Sequence, residues 1–128
     1  MKDKTAILTT AAPTPAGPYS QGLAAAGLLF CSGQVGVDAT TRKLVEGGVE
    51  EQARQVMANL AAVLAAAGCT FADVVKTTIF LTNIDDFKAV NAVYADSFEG
   101  ALPARSTVGV AGLPGGAKVE IEAIALRR

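Results

Sequence analysis

The sequence predicts an α+β fold, with one β-sheet and two helices packed on a single face of it. Two segments place apolar residues at the three- and four-residue spacing of amphipathic helices. Several shorter segments, rich in β-branched residues or alternating between apolar and polar ones, have the pattern of strands. Their order along the chain is strands, helix, strand, helix, strands, which favours one sheet with both helices on the same side.

The beginning of the chain is predicted to form three strands. The first runs from Thr5 to Thr9 and leads into Pro13 to Gly17, which must be a loop because proline and glycine interrupt it. Gly22 to Ala26 and Leu28 to Val35 are predicted to pair as a hairpin. Gly27 joins them, because glycine accepts the positive φ of a tight turn.

The clearest helix follows a polar, glycine-rich surface loop from Asp38 to Gly48. It runs from Val49 to Ala67, and Gly68 occupies the position of a C-cap. The apolar stripe of this helix consists of Ala53, Val56, Leu60, Val63, Leu64 and Ala67. The polar residues expected on its other faces are Glu50, Glu51, Arg54, Gln55 and Asn59.

The second half is predicted to contain a strand, a helix and two further strands. Val74 to Thr82 is rich in β-branched residues, and one side of this strand would carry Val75, Thr77, Ile79 and Leu81. Asn83 can cap a helix from Ile84 to about Phe98. Arg105 to Ala111 and Lys118 to Leu126 are the last strands, separated by a glycine- and proline-rich turn.

The composition fits one domain over residues 1–128 that associates with copies of itself. A mean hydropathy of +0.37 is high for so short a chain, so we expect one face to be buried in an oligomer. The longest charge-free stretch is too short and too interrupted to span a membrane. The polar start, Met1 to Asp3, lacks the apolar core of a signal peptide, so the expected location is cytoplasmic.

Charge and residue usage exclude several kinds of site. The formal charge is -1 and no basic patch appears, so nucleic-acid binding is not expected. With no histidine, the chain lacks Ser-His-Asp and Cys-His arrangements and any imidazole for zinc, and no metal is expected. Cys31 and Cys69 are far apart in sequence and are predicted to be buried thiols in a reducing compartment.

Two charged residues in the last two strands are candidates for a site. The residues of the last strand that should face the helices are Val119, Ile121, Ala123 and Ala125, so Glu120 is expected on the uncovered face. In the strand before it, the residues taken as core-facing are Ser106, Val108 and Val110. Those expected to point away from the core are Arg105, Thr107 and Gly109. Arg105 and Glu120 would then share one face, as an ordinary surface ion pair or as a functional pair.

The residue types suit recognition of a small carboxylate. The planar guanidinium of arginine matches a carboxylate with two parallel hydrogen bonds. A glutamate in a partly dry pocket can hold a water molecule or accept a proton from it.

The chain resembles the RidA/YjgF family over nearly its whole length. The C-terminal landmarks are Pro103-Ala104-Arg105-Ser106-Thr107-Val108, Leu113-Pro114 and Val119-Glu120-Ile121-Glu122. Those upstream are Gly17-Pro18-Tyr19-Ser20-Gln21, Ser32-Gly33-Gln34, Gln52 to Asn59, Lys76 to Leu81, Val90-Asn91 and Tyr94. The landmarks occur in the family's order, which a chance match to one short motif would not produce.

The resemblance implies a chorismate-mutase-like fold and a homotrimer, in which the sheets form a central barrel with clefts between subunits. It implies hydrolysis of reactive enamines and imines, such as 2-aminoacrylate, 2-iminopropanoate and 2-iminobutanoate, to 2-keto acids and ammonia, without a cofactor. Carried over by position, Arg105 would bind the substrate carboxylate and Glu120 would serve the attacking water. The other positions implied to line the cleft are Tyr19, Ser32, Gly33, Phe87, Asn91 and Thr107. Some members carry cysteine where this chain has Thr107, so thiol chemistry is not implied here.

Each of these six residues also has a structural interpretation. Phe87 lies on the apolar stripe of its helix, and Ser32 could satisfy a backbone group. A regulatory protein that binds 2-keto acids or similar carboxylates without turnover is the alternative function, and it has less use for Glu120. Endoribonuclease activity or inhibition of translation is a weaker alternative, because the sequence pI is 5.3 and histidine is absent.

Overall fold

The computed structural model describes residues 3–128 and confirms the α+β fold with one mixed sheet and two α-helices. The strands are β1 (Lys4–Ile7), β2 (Gly22–Ala25), β3 (Leu28–Val35), β4 (Val74–Leu81), β5 (Ala104–Gly109) and β6 (Val119–Leu126). The helices are α1 (Val49–Ala66) and α2 (Phe87–Ala95), with short 3-10 turns at Phe71–Asp73, Ile84–Asp86 and Pro114–Gly116. The polar start expected at Met1 to Asp3 lies outside the described residues except for Asp3. No helix within residues 3–128 has the length and apolarity needed to cross a membrane.

The sheet has the strand order β1-β2-β3-β6-β4-β5, so the last strand of the chain lies in its middle. The pair β4 and β5 is parallel, and the other neighbouring pairs are antiparallel. A parallel pair needs a crossover connection, and here α2 provides it. Strand β5 is the last strand in the order and therefore lies at the edge of the sheet, with α2 beside it.

The core lies between the sheet and the helices, as the pattern of β6 predicted. Val119, Ile121, Ala123 and Ala125 are all buried, whereas Glu120 and Glu122 alternate with them on the opposite face. Leu60, Val63 and Leu64 of α1 are fully buried against this layer. The prediction of Asn59 on a polar face was wrong, because its side chain is buried. Its amide nitrogen donates to the carbonyl oxygens of Val35, the last residue of β3, and Val37.

Two turns lie where β2 and α1 end. Each of these elements ends one residue earlier than predicted. Ala26 and Gly27 both have positive φ, 53° and 75°, so β2 ends one residue earlier than predicted. This is the backbone conformation of a tight hairpin turn. Ala67 caps the end of α1, and Gly68 after it has φ 77°, which confirms its predicted role at the helix end.

Strand β4 and helix α2 each depart from the predictions. Val75 does not face the core, because the pairing of β4 with β6 shifts between Val74 and Lys76 and leaves Val75 41% exposed. The helix predicted from Ile84 begins instead with a 3-10 turn, and α2 proper ends at Ala95. Asn83 does cap this segment by accepting from the backbone N–H of Asp85 at 3.0 Å.

The faces predicted for β5 were wrong. Arg105 is paired with Thr77 and Thr107 with Ile79, and both partners are buried under the helices. Paired residues in adjacent strands point to the same side, so Arg105 and Thr107 lie on the helix-covered face, as does Gly109.

Val108, taken as a core residue, instead lies on the uncovered face with Ser106 and is 41% exposed. Its apolar side chain belongs to a second partly apolar surface, to which Phe30 and Leu126 contribute side chains 42% and 38% exposed. The prediction therefore assigned the two faces of β5 the wrong way round. Exposed apolar side chains grouped on a sheet face are typical of a surface that another chain covers.

Candidate functional site

Four of the eight predicted site residues line one cleft on the uncovered face of the sheet. The cleft has a volume of about 530 Å³ and is lined by Tyr19, Ser32, Gly33 and Glu120. The backbone around Pro114 and Gly115, from the turn before β6, forms another wall. These residues come from distant parts of the sequence, and the antiparallel pairing of β3 with β6 brings them together.

Glu120 owes its position to an irregularity in β3. The register between β3 and β6 shifts between Cys31 and Gln34, and the extra residue there includes Gly33 in the bulged segment. A β-carbon on Gly33 would overlap the carboxylate of Glu120, because it would lie 2.8 Å from Cδ and 3.0 Å from Cγ of that side chain. Only glycine at this position leaves room for the carboxylate as it stands.

The cleft alters the acidity of Glu120. Burial raises the pKa of its carboxyl above the ordinary value of 4.5, and the neighbouring carboxylate of Glu122 raises it further. A carboxylate with a raised pKa is a stronger base than an exposed glutamate, so it accepts a proton from water more readily.

The loop that carries Tyr19 is held in place by one buried amide. The Nε2 of Gln21 donates to the carbonyl oxygens of Thr9, Ala12 and Pro13, and its Oε1 accepts from the N–H of Thr9 at 2.7 Å. Ser32 supports the same loop, because its hydroxyl donates to the carbonyl oxygen of Ser20 at 2.6 Å. This bond is the structural role considered for Ser32 above.

The remaining candidates group around Arg105 on the other face. The guanidinium carbon of Arg105 lies 5.0 Å from the ring centroid of Tyr94 and 5.5 Å from that of Phe87, both on α2. These are cation–π distances, each contributing about 0.5–2 kcal/mol. Tyr94 is itself fixed by a 2.7 Å hydrogen bond between its hydroxyl and that of Thr77, both buried.

Thr107 and Asn91 lie on the same side as Arg105. Thr107 is two residues further along β5, and its Oγ1 is buried without a hydrogen-bond partner within residues 3–128. An unsatisfied buried hydroxyl costs about 1–3 kcal/mol, and this atom is not exposed on the surface of a single chain. Asn91 lies one helical turn after Phe87, and so on the same side of α2.

Arg105 and Glu120 therefore do not share a face within one chain, contrary to the prediction. Strand β4 separates their strands, which places them about 10 Å apart across the sheet. Arg105 is level with Thr77 and hence with Ala123, three positions and about 10 Å along β6 from Glu120. Their side chains also point in opposite directions, so a small molecule cannot touch both within a single chain.

The structure adds two residues that the sequence reasoning did not assign to a site. Tyr94 was treated only as a landmark, although its ring supports Arg105. Arg42 lines a groove of about 390 Å³ that adjoins the Glu120 cleft and shares Tyr19 and Gly33 with it. Arg42 has a φ of 63°, which costs a side-chain-bearing residue about 1 kcal/mol or more. No sequence signal marks such a residue.

The cysteines match their prediction, since Cys31 and Cys69 are both free and buried. Burial raises the pKa of the Cys31 thiol to about 12, so it is not a nucleophile at neutral pH. Among residues 3–128, no group of three or more His, Cys, Asp or Glu side chains is placed to hold a metal ion.

Comparison with known proteins gives close matches over nearly the whole chain. Residues 9–127 match the family model described as Endoribonuclease L-PSP. A Mus musculus protein named 2-iminobutanoate/2-iminopropanoate deaminase is 50% identical over 121 residues, which cover 94% of this chain and 90% of the mouse protein. The human protein of the same name is 46% identical over 94% of this chain and 88% of its own length.

Solved structures of similar proteins have the same fold over nearly the whole chain. A member of the conserved Rid protein family from Yersinia pestis superposes with a TM-score of 0.93 at 52% identity, covering 96% of this chain and 98% of that one. TdcF of E. coli, solved with bound serine, superposes with a TM-score of 0.91 at 40% identity, covering 97% and 99%.

Proposed function

Because the chain belongs to the Endoribonuclease L-PSP family, which includes the RidA/YjgF proteins, we propose that it is an imine deaminase. It hydrolyses 2-iminopropanoate and 2-iminobutanoate, and the enamines in equilibrium with them, to 2-keto acids and ammonia. The relatives named for this reaction support the proposal, since they are 45–50% identical over at least 94% of this chain. The observation that carries the chemistry is Glu120, a carboxylate with a raised pKa in an open cleft.

Arg105 and Glu120 take separate roles in the proposed reaction. Arg105 binds the substrate carboxylate with two hydrogen bonds, which fix the plane of the imine. Glu120 accepts a proton from water while the water oxygen bonds to the imine carbon. That proton passes to the nitrogen, which gives a carbinolamine with one hydroxyl and one amino group. The proton of the new hydroxyl then moves to the nitrogen, with Glu120 as the carrier, as the C–N bond breaks, so ammonia leaves and the keto group forms. Atoms balance without a cofactor: one imine and one water give one keto acid and one ammonia.

We assign the two residues of one site to two different chains. The separation of about 14 Å and the opposite orientations rule out a shared substrate within one chain. An assembly that places the Arg105 side of one chain against the Glu120 cleft of another removes this difficulty. It also buries part of the apolar surface around Phe30 and Val108. A closed homotrimer has three such clefts, and light scattering should show about three times the 13.0 kDa mass of the chain.

The other candidates then form two halves of one cleft. One chain contributes Tyr19, Ser32 and Gly33 beside Glu120, and the backbone at Gly33 is open to a ligand. The other contributes Phe87, which packs on Arg105, and two polar groups on the same side, Thr107 and Asn91.

We also propose a cytoplasmic location. Cys31 and Cys69 are both reduced in the fold and are not placed as a pair that would form a disulfide. Free thiols of this kind are typical of a reducing compartment.

Ammonia release from an imine made in place tests the function. A threonine or serine dehydratase supplies 2-iminobutanoate or 2-iminopropanoate, and formation of the keto acid and ammonia is compared with and without the protein. We expect the protein to accelerate both. A protein that binds 2-keto acids by calorimetry but leaves the spontaneous rate unchanged is a carboxylate-binding regulator instead.

A further inference from the structure

We propose that Arg42 forms a second anion-binding point beside the Glu120 cleft, so that the enzyme also accepts 2-imino acids with a carboxylate at the end of the side chain. The proposal rests on the imine deaminase function above and extends its substrate class. It concerns dicarboxylic substrates such as 2-iminoglutarate and iminosuccinate, in addition to the short apolar ones.

The groove that leads to Arg42 is continuous with the Glu120 cleft. Tyr19, Gly33 and Val35 line both cavities, so no wall separates them. The groove has a volume of about 390 Å³, in addition to the cleft that contains Glu120.

The walls of the groove suit an extended side chain with a charge at its end. Pro13, Pro15 and Val37 give the groove apolar walls, which suit methylene groups. Arg42 is the charged residue that lines it. The carboxylate carbons of a five-carbon dicarboxylate are about 5 Å apart, so the second carboxylate lies outside the immediate surroundings of the first.

The backbone of Arg42 is held in a conformation that glycine would adopt without strain. Its φ of 63° is one of two positive values found for residues other than glycine within residues 3–128. The Asp38 backbone fixes this turn, since its carbonyl accepts from the N–H of Arg42 at 2.8 Å and its N–H donates to the carbonyl of Lys43 at 2.9 Å. Strain retained at the edge of a binding cleft points to a use for the side chain.

The guanidinium of Arg42 is free to meet a ligand. The ion pairs within residues 3–128 are Arg54 with Glu50 and Glu51, and Arg128 with Asp73, and none includes Arg42. The carboxylate of Asp38, on the same turn, already accepts from the N–H groups of Thr40 and Thr41.

A second carboxylate near Glu120 also needs a nearby cation. Glu120 and Glu122 both line the adjoining cleft, so an added negative charge is repelled there. Arg42 is the cation that opposes this repulsion in the shared groove.

The test compares two substrates in variants of this turn. Arg42→Gly removes the charge and suits the positive φ, and Arg42→Asn provides a second uncharged side chain that tolerates the same conformation. Lys43→Ala is the matched control, because it removes the neighbouring cation, which does not line the groove. An amino-acid oxidase acting on glutamate generates 2-iminoglutarate in place, and threonine dehydratase generates 2-iminobutanoate.

We expect both Arg42 variants to lower kcat/KM for 2-iminoglutarate roughly five- to tenfold, with the value for 2-iminobutanoate within about twofold of wild type. Lys43→Ala should change neither. Added salt should reduce the wild-type rate on 2-iminoglutarate more than that on 2-iminobutanoate.

Equal effects of the Arg42 variants on both substrates, or no effect on 2-iminoglutarate, would overturn the assignment. Failure of the wild-type protein on 2-iminobutanoate would instead count against the deaminase function itself. The two failures are therefore distinguishable in the same set of assays.

Discussion

Replacing Gly33 by alanine isolates the contribution of Glu120's position from that of its charge. The added β-carbon would stand 2.8 Å from Cδ of Glu120 and closer still to Oε2. Ordinary contacts between such atoms begin near 3.4 Å, so the carboxylate must retreat by about 1 Å or more. The Glu120 carboxyl itself is unaltered chemically.

The structure also sets the size of the expected effect. A misplacement of about 1 Å in a group that must meet a reacting atom can lower the rate by about 100-fold. The cost in folding should be small, about 1 kcal/mol, because Glu120 is only partly buried and can swing towards the open cleft. We therefore expect kcat to fall by one to two orders of magnitude in a protein that still folds and assembles.

The assay is ammonia release from dehydratase-generated 2-iminobutanoate, with thermal unfolding measured in parallel. Gly112→Ala is the matched control, because a β-carbon there meets nothing within 4 Å and its φ is not positive. A Gly33→Ala protein with the wild-type kcat would refute the argument that Gly33 holds Glu120 in place. Loss of assembly or a large drop in Tm would show instead that Gly33 in the bulge is needed mainly for folding.

Three further results are expected from the same assays. Arg105→Lys should chiefly weaken 2-keto acid binding in calorimetry, since a point charge cannot fix the carboxylate plane, whereas Glu120→Gln should keep much of that binding and lose turnover. Tyr94→Leu should raise the KM by about three- to tenfold through loss of the ring beside Arg105. Phe98→Leu, which removes a ring packed on Tyr94 at 4.7 Å but not in contact with Arg105, should affect stability alone. Activity should fall as the pH drops through a value above 4.5, because Glu120 works ionised and its pKa is raised. An acid limb below 4.5, or an unchanged one in Glu120→Gln, would contradict that role.

The raised pKa of Glu120 also has a consequence for stability. A carboxyl whose folded pKa lies above its unfolded value favours the protonated state of the folded protein. Its contribution to stability is therefore complete below the unfolded pKa and is lost as the pH rises through the folded one. An environment that disfavours the charged form of a carboxyl is typical of a functional group.

Local patterns predicted the elements well where one face alone is apolar. The stripe of α1 and the alternation of β6 each have a single apolar side, and in both cases that side is the core. Asn59 is the exception in α1, since a buried amide that binds two carbonyls is indistinguishable in sequence from an exposed one.

The edge strand β5 shows where such patterns fail. Val108 is apolar, yet it faces the uncovered side, while the charged Arg105 lies beside the helices under two aromatic rings. Alternation separates the two faces of a strand but does not say which one the helices cover, and here both faces are partly apolar. The register with β4 decides, and no local sequence signal contains it.

The pairing of β5 with β4 also limits how much of the site could be predicted from the sequence. Resemblance identified the candidate residues, and the structure places them in two groups on opposite faces of the sheet. Arg42 could not be identified in advance, because its place in the groove depends on a left-handed backbone that arginine rarely adopts.

Mixing two inactive variants tests most directly whether each site is built from two chains. Arg105→Lys and Glu120→Gln proteins, each inactive alone, are unfolded, combined in equal amounts and refolded together. In a closed ring with random assembly, about one quarter of the clefts would combine an intact Arg105 from one chain with an intact Glu120 from its neighbour. The account predicts recovery of about a quarter of the wild-type ammonia release. Activity no greater than the sum of the separate variants, in a sample shown by mass to contain mixed assemblies, would contradict it.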